Sequence, residues 1–213
     1  MKINFTSDFH GNFPVLHNNS DVLVIAGDVA PNFSHLKLKD AELQLIWFRD
    51  NFIPWTKNNK FDACILTLGN HDTIGGYPEF LNPLKEEFKE NNIHLLLDEG
   101  LEYNGVKFWG TPWVNIIENT DFVFMADQQK MRLRADIIPS DVEILISHSP
   151  VVGYGDIHFG KHLGDREILC AIHRLDKLKY FVCGHVHDMG GFTDYIGNTK
   201  IINAADHVFL ESV

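Results

Sequence analysis

The sequence predicts an α/β fold, and three features of its 213 residues support this prediction. Short apolar runs of the kind found in buried strands alternate with longer stretches whose apolar residues recur at helical spacing. The short runs end in polar or glycine-rich turns, as strands do. No repeat, low-complexity segment or linker interrupts this pattern. We therefore expect one domain over residues 1–213.

Strands are predicted wherever a short apolar run is bounded by turn residues. The predicted strands cover residues 2–5, 21–26, 63–68, 93–97, 101–103, 106–109, 143–147, 180–183, 192–196 and 200–203. Asn104-Gly105 predicts a two-residue hairpin, because this pair accepts the positive φ angles of a type I′ turn. Gly197-Asn198 is expected to join the last two strands in the same manner.

Helices are predicted where the apolar residues form a stripe at a spacing of three and four. The predicted helices cover residues 40–53, 83–90, 127–137 and 166–178. Pro54 is expected to end the first of them, since proline lacks the N–H that a helix interior requires. In the last, Ile168, Ile172 and Leu175 fall on one face.

Composition and charge exclude several classes of protein. Hydrophobic residues make up 45% and charged residues 22%, which is typical of a globular chain rather than a disordered one. A formal net charge of −11 argues against a general nucleic-acid-binding surface, because acidic surfaces repel phosphate backbones. No signal peptide and no apolar run of about 18 residues are present, so we expect no membrane partner and a cytoplasmic protein. The three cysteines form no CxxC pair and are predicted to be reduced core residues: Cys64, Cys170 and Cys183.

Residue types that bind metals follow five of the predicted strands. These motifs are Asp8-Phe9-His10-Gly11-Asn12, Gly27-Asp28, Gly69-Asn70-His71-Asp72, His148-Ser149-Pro150 and Gly184-His185-Val186-His187. Ligands of open α/β sheets bind at the carboxyl ends of the strands, so these side chains are expected to converge. Oxygen and nitrogen donors without sulfur suit Mn²⁺, Fe or Zn²⁺. The donors outnumber the needs of one tetrahedral ion, and two ions about 3.5–4 Å apart are a recurring device for phosphoryl transfer.

The order of the five motifs resembles that of the calcineurin-like metallophosphoesterases, from residue 6 to about residue 203. The resemblance implies a four-layer α/β/β/α sandwich and two divalent transition-metal ions, with Mn²⁺ favoured. It implies one ion on Asp8, His10, Asp28 and His187, and a second on Asp28, Asn70, His148 and His185, with Asp28 bridging. It also implies that a hydroxide between the ions attacks phosphorus while His71 assists the leaving group. Asp72 is expected to orient His71.

The motifs look more like those of the small phosphodiesterase-type members, which include the class III cyclic-nucleotide phosphodiesterases and the MPPED proteins. Protein serine/threonine phosphatases carry an arginine-bearing segment where this chain has Val29-Ala30-Pro31, and a glutamate in place of Asp72. The expected substrate is therefore a small phosphodiester such as a cyclic nucleotide. A phosphomonoesterase and a non-enzymatic interaction module are the alternatives. Two further histidines, His158 and His162, are candidates for lining the substrate pocket.

Overall fold

A computed structural model describes the whole chain, residues 1–213, and contains two main β-sheets. In chain order the strands are β1 (Lys2–Thr6), β2 (Val22–Ala26), β3 (Ala63–Thr67), β4 (Ile93–Leu95), β5 (Glu99–Tyr103), β6 (Val106–Thr111), β7 (Val114–Asn115), β8 (Met125–Ala126), β9 (Ile144–Ser147), β10 (Ile157–His158), β11 (Lys161–His162), β12 (Tyr180–Cys183), β13 (Thr193–Ile196), β14 (Thr199–Asn203) and β15 (Val208–Ser212). The first sheet has the order β15-β1-β2-β3-β4 and the second β13-β14-β12-β9-β6-β5. Within these two sheets, antiparallel pairing is confined to the edge strands β15, β13 and β5, so the central strands of each sheet share one direction.

Helices cover the outer faces of both sheets. They are α1 (Lys37–Trp47), α2 (Ile53–Asn59), α3 (Pro78–Lys89), α4 (Gln128–Asp136) and α5 (Arg166–Ile172). The first three pack on the first sheet, and the other two pack on the second. The layers thus run helix, sheet, sheet, helix, which confirms the expected four-layer α/β/β/α sandwich. None of the helices combines the length and the hydrophobicity needed to cross a bilayer.

Alternating side chains of the central strands supply the core layers. In β2, Leu23 packs beneath the helices of the first sheet, whereas Val24 faces the second sheet. In β9, Leu145 faces α4 and α5, whereas Ile146 faces the first sheet. Successive side chains of a strand point to opposite faces, and both faces of these strands are buried. This double burial explains why the sequence shows continuous apolar runs rather than alternation.

Every predicted strand is present, although several bounds differ. Asn104 and Gly105 have φ angles of 49° and 77°, as the predicted type I′ turn requires. The sequence did not predict β15, which pairs with β1 along the edge of the first sheet. The predicted burial of all three cysteines is wrong for Cys170, which lies on the exposed side of α5.

Two predicted helix ends are wrong. The chain continues through a π-helical turn, Phe48–Phe52, into α2, with Pro54 in the first turn of that helix. The backbone N–H of Ile53 donates to the oxygen of Phe48, five residues earlier, so the helical turn is widened directly before the proline, which has no N–H to donate. The last helix ends at Ile172 instead of extending to residue 178, and the chain buries Leu175 without helical structure.

An aromatic group beneath the helices of the first sheet gives a direct test of this packing. Phe88 is fully buried, with its ring centroid 5.5 Å from that of Phe48 and 5.8 Å from that of Phe52. We expect Phe88→Ala to lower the free energy of unfolding by about 3–5 kcal/mol, measured by urea denaturation, because a cavity replaces the ring. The half-exposed Phe33 is the control, and Phe33→Ala should cost less than about 1 kcal/mol. Equal losses in the two variants would contradict the assignment of Phe88 to the core.

Candidate metal centre

The loops that follow β1, β2, β3, β9 and β12 meet at one edge of the sandwich. Four of the predicted ligands in these loops have a positive φ: Asp8 at 58°, His10 at 44°, Asp28 at 51° and His185 at 67°. Left-handed backbone is uncommon for residues other than glycine and is often found at functional sites. Here the chain turns sharply as it leaves β1, β2 and β12.

A first group of donor atoms comes from Asp8, His10 and His187, whose donor atoms all lie within 4.8 Å of one another. Nε2 of His187 lies 3.4 Å from Nε2 of His10 and 3.6 Å from Oδ1 of Asp8. On the other side of the ring, Nδ1 of His187 donates to the carboxylate of Asp206 over 2.5 Å. This hydrogen bond directs the lone pair of Nε2 into the group. No sequence motif pointed to Asp206.

A second group of donor atoms comes from Asp8, Asp28 and His148. Nε2 of His148 lies 3.4 Å from Oδ2 of Asp28 and 3.0 Å from Oδ1 of Asn70. Nδ1 of His148 donates to the backbone oxygen of Ala26 over 2.8 Å, so Nε2 is the atom available for a metal. Nδ2 of Asn70 is buried without a hydrogen-bond partner. The Asn70 side chain is thus held with its Oδ1 atom facing the group, although its amide nitrogen finds no acceptor there.

The structure brings all seven predicted ligands into one cluster. The ring of His185 lies 5.1 Å from that of His148, and the His185 backbone N–H donates to both carboxylate oxygens of Asp8. Asp8 is the residue common to the two donor groups, whereas the resemblance implied Asp28. Oδ2 of Asp28 is nevertheless 3.8 Å from Nε2 of His10, so Asp28 also lies between the groups. The individual coordination roles remain predictions.

Glycine directly precedes three of the predicted ligands, Asp28, Asn70 and His185, because the loops approach one another too closely there for a side chain. A Cβ on Gly184 would lie 1.9 Å from Oδ2 of Asp8. A Cβ on Gly69 would lie 2.2 Å from Oδ1 of Asp28 and 2.6 Å from Nε2 of His148. The space that these glycines leave is therefore occupied by donor atoms from other strands.

The electrostatics of the cluster favour a bound cation. Burial raises the pKa of Asp8 to about 6, although the charge of His148 opposes the shift. Burial also opposes ionisation of Asp28 and His148, but the attraction between the carboxylate and the imidazolium outweighs it. This attraction lowers the pKa of Asp28 and raises the pKa of His148 to about 9. Burial lowers the pKa of His185 to about 3 and keeps the ring neutral. Two buried carboxylates, an amide oxygen and imidazoles, of which His148 must lose a proton to bind an ion, form a donor set that fits divalent transition metals.

His71 lies at the edge of the cluster and belongs to neither donor group. Its Nδ1 lies 2.9 Å from the amide nitrogen of Asn32, which can only donate, so the ring proton is on Nε2. The His71 ring packs against Phe122 at a centroid distance of 4.3 Å. Its backbone N–H donates to Oδ1 of Asp28 over 2.8 Å. No sequence signal marks Asn32, which contacts His71 only in the folded chain.

The expectation that Asp72 orients His71 is wrong. The carboxylate of Asp72 is fully buried and accepts hydrogen bonds from the backbone N–H groups of Val29, Ala30 and Gly69 over 2.8–3.2 Å. Asp72 therefore holds the loop after β2 against the loop after β3. It contributes to the site by fixing the backbone on which Asp28 and Asn70 lie.

The four-layer architecture holds a cluster of metal-binding residue types, and the sequence assigns the family. Residues 1–189 match the calcineurin-like phosphoesterase family, and the chain belongs to it. Members of this family use divalent metal ions. The chain is similar to a UPF0046 protein of Caenorhabditis elegans, with 29% identity over 86% of this chain and 50% of that protein.

A further relative agrees with this assignment, and two solved structures share the fold. Metallophosphoesterase domain-containing protein 1 of Homo sapiens is 27% identical over 93% of this chain and 64% of its own length. The chain thus spans about half to two thirds of these two relatives. One crystal structure matches with a TM-score of 0.76 at 18% identity over 99% of this chain and 98% of that chain. The crystal structure of a Thermus thermophilus protein, TT1561, matches with a TM-score of 0.65 at 11% identity over 99% and 97%. Both likenesses show the fold.

Replacing Gly184 by alanine tests whether close approach of the loops creates the cluster. The added Cβ overlaps Oδ2 of Asp8, so we expect Gly184→Ala to displace this carboxylate and to retain less than half the metal of the wild type after Mn²⁺ loading. Metal content is measured by mass spectrometry of the dialysed protein. Gly100→Ala is the matched control, since its nearest neighbour would be 3.4 Å away. Full metal content in Gly184→Ala protein with a native circular dichroism spectrum would refute this account.

Proposed function

We propose that this chain is a two-metal phosphodiesterase that hydrolyses a small phosphodiester. The observation that carries the proposal is the convergence of seven oxygen and nitrogen donors beside a histidine that is not one of them. The proposed ligands are Asp8, His10, Asp28, Asn70, His148, His185 and His187. Two divalent ions, for which we favour Mn²⁺, would supply positive charge to the phosphate oxygens and activate water for attack on phosphorus. Both sheets contribute ligands, so we propose that residues 1–213 act as one unit.

His71 is the proposed proton donor to the leaving oxygen. Its proton is on Nε2, because Nδ1 accepts a hydrogen bond from Asn32. The contact with Phe122 restricts rotation of the ring, and the backbone bond to Asp28 fixes His71 relative to the ligand cluster. A neutral imidazole held in this way can donate a hydrogen bond from Nε2 to the departing oxygen and stabilise the negative charge that develops there.

The positions of the arginines support a diester over a monoester. A phosphomonoester dianion carries one more negative charge than a diester, and arginine forks are the usual means of holding it. All five arginines lie on or beside the helical segments: Arg49, Arg132, Arg134, Arg166 and Arg174. None belongs to the loops that form the cluster. The test is hydrolysis of bis-p-nitrophenyl phosphate, p-nitrophenyl phosphate and a panel of cyclic nucleotides by Mn²⁺-loaded protein. A preference for the monoester would reject the diesterase.

Removing the imidazole of His71 separates catalysis from metal binding. We expect His71→Ala to lower kcat for a cyclic nucleotide by about 10²–10⁴-fold, because its strongly basic alkoxide leaving group loses the assistance of His71. The loss for bis-p-nitrophenyl phosphate should be much smaller, since p-nitrophenolate leaves readily without a proton. Metal content should equal that of the wild type, since His71 is in neither donor group. His173→Ala, on the C-terminal end of α5, is the control for loss of a histidine far from the cluster. Unchanged kcat for the cyclic nucleotide in His71→Ala would remove His71 from the mechanism.

Metal binding is expected to release a proton from His148. In the metal-free chain this ring is protonated at pH 7, because the carboxylates of Asp28 and Asp8 raise its pKa to about 9. A metal ligand must be neutral, so the ion displaces the proton from Nε2. Affinity for Mn²⁺ should therefore rise with pH and level off above about pH 9.

Titration calorimetry in two buffers of different ionisation enthalpy measures this proton at pH 7. The expected result is a binding enthalpy that changes with the buffer in the wild type and changes less in His148→Asn, which has no proton to lose. A buffer-independent enthalpy in the wild type would contradict protonation of His148 in the metal-free state.

A further inference from the structure

A pocket of about 660 Å³ opens beside the metal-ligand cluster. Two of its lining residues, His185 and His187, belong to the cluster, and the β10–β11 hairpin supplies His158, Lys161 and His162. The remaining wall is the segment 115–118. A volume of this size is typical of a small-molecule site, and a phosphate held at the cluster would lie at its inner end.

The hairpin that forms the pocket wall is held in place by buried and paired groups. The carboxylate of Asp156, 1% exposed, accepts hydrogen bonds from the N–H groups of Gly153 and Gly164 over 3.1 Å and from Nδ1 of His162 over 2.9 Å. Nδ1 of His158 donates to Asp188, next to His187, over 2.7 Å. The bonds to Asp156 hold the loop of residues 153–164 together, and the bond to Asp188 ties the hairpin to the segment next to His187. The pocket is thus formed before any ligand binds.

Charge and hydrophobicity limit what this pocket accepts. Its permanent charges are one positive and one negative, Lys161 and Glu118, so the pocket has no net charge with which to hold a second anionic group. His158 and His162 are already paired with carboxylates. Apolar side chains supply much of the remaining wall: Ile116, Ile117, Leu163 and Val186.

The pocket is lined by two of the proposed ligands but not by the proposed proton donor. His71, Asn32 and Phe122 do not line it, whereas His185 and His187 do. A leaving oxygen that receives the proton of His71 would therefore depart elsewhere. The ester group that stays on phosphorus is the one that points toward the pocket.

We propose that this pocket binds the retained ester group of the phosphodiester, and that this group is an uncharged apolar ring such as an aryl group. The inference rests on the proposed phosphodiesterase function. Lys161 and Glu118 contact the polar edge of the substrate, and the isoleucine and leucine side chains contact the ring.

Two substrates with the same leaving group isolate the retained group. Bis-p-nitrophenyl phosphate and methyl p-nitrophenyl phosphate both release p-nitrophenolate, and they retain an aryl and a methyl group respectively. The measurement is the ratio of their kcat/KM values on Mn²⁺-loaded protein, in which any change common to both substrates cancels. We expect the aryl ester to be favoured by about tenfold or more.

Two variants shorten the apolar wall. We expect Leu163→Ala and Ile116→Ala to lower the ratio by about threefold or more, through a higher KM for the aryl ester. Ile116 is 59% exposed, so its variant retains the fold even where Leu163→Ala does not. Ile46→Ala is the matched control, because Ile46 is 51% exposed on α1, outside the pocket. Ile46→Ala should leave the ratio unchanged.

The outcomes separate this inference from the proposed function. Hydrolysis of both esters with a ratio that is the same in the wild type and in the two pocket variants would overturn the pocket assignment and leave the phosphodiesterase intact. Hydrolysis of neither ester by metal-loaded wild type would overturn the proposed function and the pocket assignment with it.

Discussion

The carboxylates of Asp8 and Asp28 are buried at one edge of the sandwich, and the surrounding loops are arranged so that each has hydrogen-bond donors. A buried charge is costly unless it is paired and hydrogen-bonded. Asp8 accepts the backbone N–H of His185, and Asp28 accepts that of His71. The imidazole of His148 lies against Asp28 and supplies one positive charge. The negative charge that remains gives the site its affinity for cations.

The carboxylates also explain how separate loops are locked together. Asp8, Asp28 and Asp72 each accept a hydrogen bond from the backbone of a loop that follows a different strand. Such bonds require close approach of the backbones, and Gly69 and Gly184 permit it. The acidic residues of the motifs can therefore make these hydrogen bonds only where glycines let the loops approach. A larger residue in place of a glycine would separate the loops, and loss of a carboxylate would leave backbone N–H groups without an acceptor.

Features that depend on local pattern were predictable from the sequence, and features that depend on distant contacts were not. Continuous apolar runs reveal strands buried on both faces, and glycine beside Asp or His marks the loops at their carboxyl ends. The sequence predicted a helix end at Pro54 because proline usually ends a helix. In the structure a π-helical turn carries the chain past this residue into α2. Asn32 and Asp206 carry no motif, since their roles come from contacts with His71 and His187 that only the folded chain makes.

The segment around Asp206 links the site to the edge of the first sheet. The backbone N–H of Asp206 donates to the oxygen of Ser7 over 3.1 Å, directly before Asp8. Two residues later β15 begins, and its pairing with β1 extends from Thr6 opposite Val208 to Lys2 opposite Ser212. One stretch of chain thus both completes the sheet and places the carboxylate that orients His187. It lies beyond residue 189, where the family match ends. The geometry of the first donor group therefore depends on a part of the chain that the family motifs do not describe.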